Sequence, residues 1–431
     1  MTEPDRPDSR PRPPVSARWT VLIFLSLAMA GNYYIYDSIA PIADLLTSQL
    51  GYSDTQIGWL YSIYSVAAVG TLLIGGVIID RAGTTVACVA FAIVCLAGAL
   101  INVASGSYAA MLAGRFVLGL GAESLIVAVT TALAKWFKGK ELGFAFGVNL
   151  LIARLASVAA DNSPTWAGAL YSNWRSPLFV AVVAGAIGVA GAIVYGVLER
   201  RAASRYELGR AGQVDTLVVA DLFRFTRSYW LIVGLCLVFY SAVFPFRSFA
   251  VKFFMEGHGA SRELGGFLNS VLPLSAMVAT PLFGLLVDRV GRRALFMLVG
   301  SSLLVPAFVL LAPGPQVSTT LYVPIALLGI AFSLVPAVMW PSVTYVVEES
   351  RLGTAYAVMT LVQQIGVLGM NWALGWANDV SGAAPGHPEG YAPGMWLLSA
   401  LGGIGLICAW LLRREETGPG AHGLETIRQS A

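Results

Sequence analysis

Long apolar runs recur along almost the whole chain and are separated by short polar segments. A helix needs about 20 apolar residues to cross the hydrocarbon core of a bilayer. Runs of that kind lie at 19–46, 56–79, 85–103, 108–134, 142–168 and 176–198, and again at 229–254, 263–287, 294–312, 320–347, 353–378 and 394–413. The pattern therefore predicts an all-α membrane protein with twelve transmembrane helices, numbered 1 to 12 along the chain.

The polar segment 199–228 divides these runs into two sets of six. A long central loop between two six-helix bundles is typical of transporters built from internal repeats. The predicted organisation is a disordered cytoplasmic tail at 1–18, a bundle at 19–198, a cytoplasmic linker at 199–228, a second bundle at 229–413 and a cytoplasmic tail at 414–431.

Lys and Arg are concentrated in both tails, in the linker and in alternate loops. Because cytoplasmic loops of membrane proteins carry an excess of these residues, both termini are predicted to be cytoplasmic. An even number of helices agrees with that orientation. The predicted location is the cell membrane. The lysosomal membrane is less favoured, since the first residues carry no acidic dileucine sorting signal.

The composition mainly excludes other classes of protein. Only 12% of residues are charged and 57% are hydrophobic, whereas a soluble domain has about 25% charged residues. The net charge of +3 is too small to indicate nucleic-acid binding. The cysteines lie in apolar runs and the histidines in polar loops or the tail. Because no metal-ligand cluster, cofactor motif or nucleophile–base set is visible, we do not expect an enzyme.

The loops after helices 2 and 8 carry the same pattern, GxxxDRxG. It is formed by Gly76, Asp80, Arg81 and Gly83 in the first half and by Gly284, Asp288, Arg289 and Gly291 in the second. The pattern resembles the signature loop of the major facilitator superfamily. A Gly there lets two helices approach closely, and the Asp can pair with an Arg. We expect these residues to form a cytoplasmic latch that favours an outward-open state.

Ionisable groups in the middle of predicted helices mark a transport pathway, because an unpaired charge costs several kcal/mol there. Glu123 lies near the middle of helix 4 and Arg154 near the middle of helix 5. The two charges can neutralise each other, or they can receive the opposite charges of a zwitterionic ligand. A purely structural ion pair is the alternative. Arg115 shares a helical face with Glu123 and is interpreted as mainly structural, as is Asp161 in helix 5.

Helix 1 carries aromatic residues next to an acid. Tyr33 and Asp37 share one face, and Tyr34 lies beside them. These residues can form an aromatic wall that contacts substrate, or Asp37 can carry a proton. A structural role for Asp37 is equally open. Arg247 lies nearer the outer end of helix 7, where its side chain can simply snorkel to water.

The second half offers fewer charges and a more neutral surface. In helix 10, Pro336 and Pro341 flank Trp340, so the helix is expected to kink there. Helix 11 carries Gln363 and Gln364. These side chains can form the uncharged side of a cavity. For Trp340, a position facing lipid is the alternative.

Two stretches resemble a narrower group, the major facilitator domain-containing protein 1 family of lysosomal dipeptide transporters, together with its bacterial relatives. One contains the ES pair at Glu123, the WFKGKEL segment at 136–142 and the AR pair at Arg154. The other contains residues 334–343 and 352–356. The resemblance implies a uniporter of dipeptides, with a leaning to cationic ones. By the same resemblance, Glu123 would bind the substrate ammonium and Arg154 its carboxylate, while Trp340 and Gln363 would line the opposite side.

Two other functions stay open. One is a proton-coupled transporter of another small organic solute, such as a drug or a metabolite anion, with Glu123 or Asp37 as the titrating group. The other is a nutrient sensor that binds substrate but transports it slowly. The predicted partners are a small-molecule substrate and the lipid bilayer, and the sequence implies no accessory subunit.

Overall fold

A computed structural model describes residues 11, 13–137, 141–206, 208, 219–312 and 321–428. The helices α1 to α12 are Val15–Asp37 (α1), Asp54–Ala104 (α2 and α3 together), Tyr108–Phe137 (α4), Leu142–Asp161 (α5), Arg175–Ala203 (α6), Arg227–His258 (α7), Arg262–Val290 (α8), Arg293–Ser302 with Leu304–Leu311 (α9), Tyr322–Val346 (α10), Leu352–Val380 (α11) and Ala392–Glu416 (α12). A short helix, Ala43–Leu50, follows α1 on the outer side, which is the side opposite the two termini.

The segment Asp54–Ala104 contains two membrane crossings. Its 51 residues would form a straight helix about 75 Å long, far more than the roughly 30 Å hydrocarbon core. Gly83 divides it with φ 79° and ψ 161°, a backbone conformation that glycine adopts without a steric penalty. Within the described residues, 11 candidate spans meet criteria of length and hydropathy, and one of them begins at Arg81. The part before Arg81 is the remaining crossing, so the twelve-helix prediction is confirmed.

Several predicted boundaries differ from the structure. Helix α1 begins at Val15, so the end of the tail predicted as disordered at 1–18 is helical, while residues 1–10 and 12 lie outside the described residues. Helix α6 continues to Ala203, into the segment predicted as linker. Polar and charged residues at a helix end can extend beyond the apolar core, which hydropathy alone does not detect.

The two halves pack closely at the outer ends of α2 and α11. Ser62 Oγ donates to the carbonyl of Leu368 at 2.7 Å. The Asp379 carboxylate accepts the backbone N–H groups of Asp54 and Thr55 at 2.9 and 2.8 Å. A Cβ added to Gly375 would lie 2.2 Å from the carbonyl oxygen of Asp54. The helices can therefore approach this closely only because position 375 has no side chain.

Ion pairs between the halves also lie on this outer side. The pairs are Asp37–Arg247, Asp44–Arg262, Asp54–Lys252 and Asp161–Arg247. In each of them the acid belongs to the N-terminal half and the base to the C-terminal half. One apolar cluster also joins outer residues of the first half, such as Ile42 and Leu60, to the core of the second. The structure is therefore closed on its outer side.

The signature loop of the second half forms a local ion pair. Arg293 donates to Asp288 at 2.7 Å, and both residues belong to the C-terminal half. Arg293 also donates to the carbonyl of Ile427, which anchors the C-terminal tail on this loop. The described part of the loop therefore forms no latch between the halves. A latch on the cytoplasmic side would be open in a structure that is closed on its outer side, so the expectation that the loop favours an outward-open state stays a prediction.

The other predicted signature residues contribute little to packing where the structure describes them. A Cβ added to Gly284 would meet nothing within 4 Å, so the structure shows no close helix approach at this position. Arg81 and Arg289 are exposed. The surroundings of Gly76 and the side chain of Asp80 are outside what the structure describes. A gating role for these positions stays a prediction.

Gly375→Ala tests the closure of the outer side. The added methyl group would lie 2.2 Å from the Asp54 carbonyl, so we expect the outer ends of α2 and α11 to separate. Spin labels at the exposed positions Ser48 and Glu389, in a background without native cysteines, should show a longer distance in this variant. Gly369→Ala on the same helix meets nothing within 4 Å and is the matched control. Equal distances in both variants would contradict the proposed closure.

Candidate functional site

A cavity of about 250 Å³ lies between the two halves. Helices α1, α2, α4 and α5 line it from the N-terminal half, and α7, α10 and α11 from the C-terminal half. Its volume is close to the lower end of the range for small-molecule pockets, about 300–1,000 Å³. The position between two repeats is where transporters of this architecture bind substrate.

Most residues that the sequence predicted for the site line this cavity. They are Tyr33, Asp37, Glu123, Arg154, Trp340 and Gln363. Tyr34 does not: its side chain is buried and is not part of the lining. Its side chain packs instead in the apolar core of the first half. The proposed aromatic wall of helix 1 is formed by Tyr33 and Tyr36 instead.

Glu123 accepts hydrogen bonds from both halves of the protein. The Tyr64 hydroxyl donates to Glu123 Oε1 at 3.2 Å. Gln364 Nε2 donates to the same oxygen at 3.1 Å. Both donors are neutral, and no cation lies within 4 Å of the Glu123 carboxylate in the described part of the chain. The acid is thus held in place without an ion pair.

Arg154 lies among aromatic rings. Its guanidinium carbon is 5.5 Å from the ring centre of Tyr33 and 5.8 Å from that of Phe332. Cation–π contacts of this kind stabilise a partly desolvated guanidinium. Among the described residues, no carboxylate lies within 4 Å of it. The direct Glu123–Arg154 pair that the sequence suggested is therefore not formed. Each charged group contacts neutral side chains instead.

Arg115 lies behind the cavity and does not line it. Its guanidinium donates to the carbonyls of Leu60 and Tyr36, both at 3.2 Å. It also contacts the faces of Tyr36, Tyr61 and Tyr64. Arg115 thus joins α4 to α1 and α2 and supports tyrosines of the cavity wall, in agreement with a structural interpretation.

Arg247 contacts two carboxylates at the outer end of the cavity. It lies 3.5 Å from Asp37 and 2.9 Å from Asp161, and only 4% of the residue is exposed. Asn269 also donates to Asp161, at 2.8 Å. The interpretation of Arg247 as a snorkelling side chain is therefore wrong. Its charge is neutralised by buried acids of the other half, which sequence position alone does not reveal.

Trp340 faces the interior of the protein. Its indole N–H donates to the Tyr240 hydroxyl at 2.9 Å, and its ring stacks on Tyr356 with centres 6.0 Å apart. The alternative of a lipid-facing Trp340 is therefore wrong. Gln364 lines the cavity beside Gln363, as the sequence suggested, whereas Tyr64 and Tyr240 also line it and were not predicted to do so. Tyr64 and Tyr240 lie in apolar stretches where no local pattern distinguishes a cavity-lining tyrosine from a core one.

The sequence profile of the Major Facilitator Superfamily matches residues 22–370 and 246–430. The chain belongs to this superfamily. Its members are transporters, which agrees with the expectation that the protein is not an enzyme.

The narrower resemblance is also confirmed. The "Lysosomal dipeptide transporter MFSD1" of Danio rerio is 33% identical over 380 residues, which cover 85% of this chain and 81% of the relative. The protein of that name from Homo sapiens is 32% identical over 365 residues, with 81% and 77% coverage. The solved structure of the nucleoside transporter NupG aligns with a TM-score of 0.74 at 11% identity, covering 91% of this chain and 98% of that one. That likeness concerns the fold alone.

Arg247→Met tests the shared ion pair. The change leaves Asp37 and Asp161 buried without their cation, and removing one partner of a buried pair costs about 3–5 kcal/mol. We expect a lower melting temperature in detergent. The triple variant with Asp37→Asn and Asp161→Asn should recover much of the loss, because no buried charge is left unpaired. Arg175→Met, at an exposed arginine, is the control. An unchanged melting temperature in Arg247→Met would contradict this account.

Proposed function

We propose that the protein transports dipeptides across the membrane by alternating access, as a uniporter. Glu123 binds the substrate ammonium and Arg154 binds its carboxylate. One observation carries this proposal: two opposite charges line a single cavity between the halves, and neither forms an ion pair with any residue that the structure describes. A zwitterion supplies the counter-charge that each of them lacks.

The remaining lining fits the middle of such a substrate. The C-terminal half contributes Trp340, Gln363 and Thr360, which are aromatic or neutral polar side chains. Amides and hydroxyls can bond to a peptide group without selecting a particular side chain. The cavity volume of about 250 Å³ suits a small solute. The relatives' printed name, a dipeptide transporter, supports the same substrate class.

A leaning to cationic side chains would involve Asp37. This acid lines the cavity together with Tyr33. Arg247 lies 3.5 Å from it, so a cationic side chain would share the carboxylate with that arginine. The proposed location is the cell membrane. The lysosomal membrane, which the relatives' name specifies, is less favoured.

Glu123→Gln and Arg154→Met should each abolish dipeptide uptake. Losing one charged partner of a ligand at a desolvated site typically costs about 2–5 kcal/mol, so uptake into proteoliposomes should fall by roughly 30-fold or more. Glu389→Gln and Arg175→Met neutralise exposed charges of the same types and should transport normally. Size-exclusion profiles and melting temperatures show whether each variant is folded. Retained uptake in both site variants would exclude the charge pair as the binding determinant.

Binding should require both free termini of the dipeptide. Unmodified dipeptides should raise the melting temperature, because each charge on the ligand meets an unpaired charge of the protein. N-acetylated and C-amidated forms each lose one of these contacts and should have little effect. If modified and unmodified forms stabilise the protein equally, the proposed binding mode is wrong. Stabilisation by organic anions in the same screen, without any by dipeptides, would favour the alternative solute class.

A further inference from the structure

The side-chain amide of Gln364, in the C-terminal half, bonds two residues of the N-terminal half at the site. Ser65 Oγ donates to Gln364 Oε1 at 3.0 Å, and Gln364 Nε2 donates to Glu123 Oε1 at 3.1 Å. The amide nitrogen faces Glu123, which is the orientation that an ionised carboxylate requires because it only accepts hydrogen bonds. The Ser65 hydroxyl then fixes the opposite end of the amide. Gln364 is 8% exposed and Ser65 is 1% exposed, so water has little access to either side chain.

The connection crosses the boundary between the halves. Gln364 lies on α11, whereas Ser65 and Glu123 lie on α2 and α4. The other described side-chain bonds between α2 and α11, such as Ser62–Leu368 and Asp54–Asn378, lie nearer the outer end. Tyr64 also donates to Glu123, but it belongs to the same half as the acid. Among the described residues, Gln364 is thus the C-terminal-half side chain that bonds the proposed ammonium site.

Net transport by a uniporter includes a step that exchange does not. After releasing substrate, the protein must return to its starting conformation without a ligand. During that return, Glu123 would be a desolvated carboxylate without the ammonium, and its charge would be costly unless N–H or O–H donors replaced the lost contact. The Gln364 amide is already positioned to supply such a donor.

We propose that Gln364 is a positioning residue that serves as a stand-in donor for the substrate ammonium. Its N–H binds Glu123 whenever no substrate is present, and an arriving ammonium displaces it. The protein can then reorient unloaded without leaving Glu123 unsatisfied. This inference rests on the proposed function and assigns Gln364 to the regulation of that same site.

The test compares two fluxes of one dipeptide in proteoliposomes. Net uptake down a gradient requires the unloaded return, whereas counterflow against the same dipeptide inside needs only the loaded protein. Gln364→Met keeps the side-chain length but removes the donor. We expect its net uptake to fall about tenfold or more, as for a lost bond to a charged group. Its counterflow should stay within about twofold of wild type, because the substrate itself satisfies Glu123.

A second variant tests the chemistry of the donor. Gln364→Glu keeps the length and the acceptor for Ser65, but an ionised carboxylate cannot donate to Glu123. A proton shared between the two acids would restore an O–H donor. Net uptake by this variant should therefore decline as the pH rises and recover as the pH falls, while Gln364→Met should show no such dependence. Absence of recovery in Gln364→Glu would contradict the donor role.

Ser62→Ala is the matched control. It removes another hydrogen bond between α2 and α11, that to Leu368, without touching Glu123. Its ratio of net uptake to counterflow should equal that of wild type. Equal losses of both fluxes in Gln364→Met, or no loss in either, would overturn this inference while leaving dipeptide transport intact. A wild-type protein without dipeptide counterflow would overturn the proposed function and this inference together.

Discussion

The contact of Arg247 with Asp37 and Asp161 neutralises the buried charges at the outer end of the cavity, and the other charges of the cavity are outside this contact. An unpaired charge at membrane depth costs several kcal/mol, so each buried ionisable group needs a partner or a function. Arg247 and Asp37 both line the cavity at its outer end and neutralise each other there. Closure of the outer side and neutralisation of its charges are thus one event. Glu123 and Arg154 take no part in it, and in the described part of the chain their contacts are with neutral groups.

The sequence predicted the fold and much of the site because both depend on local patterns. Hydropathy located the twelve helices, and the depth of Glu123 and Arg154 followed from their positions along α4 and α5. The partners of these residues were not predictable. Whether Arg154 meets Glu123 or the rings of Tyr33 and Phe332 depends on the rotation and tilt of neighbouring helices, which a sequence does not encode locally. Arg247 was misinterpreted for the same reason, since its acids come from the other half.

The contacts of the repeated GxxxDRxG loop could not be predicted from the sequence either. Its pattern identified the superfamily, which the profile match confirms. Its local contacts, however, are set by the C-terminal tail, which was predicted only as a cytoplasmic segment. The backbone N–H of Arg293 donates to Leu424 at 2.7 Å, and that of Leu295 donates to the Glu425 carboxylate at 2.8 Å. The tail thereby satisfies donors at the start of α9, which a helix of this kind leaves unpaired. An acid in a tail can cap a helix distant in sequence, and motif matching does not anticipate it.

The outer ion pairs determine the relative position of the two halves, but they add little net stability to the closed arrangement. Removing two charges from water costs nearly as much as their attraction returns, so a complete buried pair contributes little net stability. When the outer side opens, water re-enters and hydrates the same charges, so opening does not forfeit their full Coulomb energy. Misalignment is different, because it leaves a buried charge without partner or water. Acids on one half and bases on the other therefore select one closed arrangement while keeping it reversible, which the proposed alternating access requires.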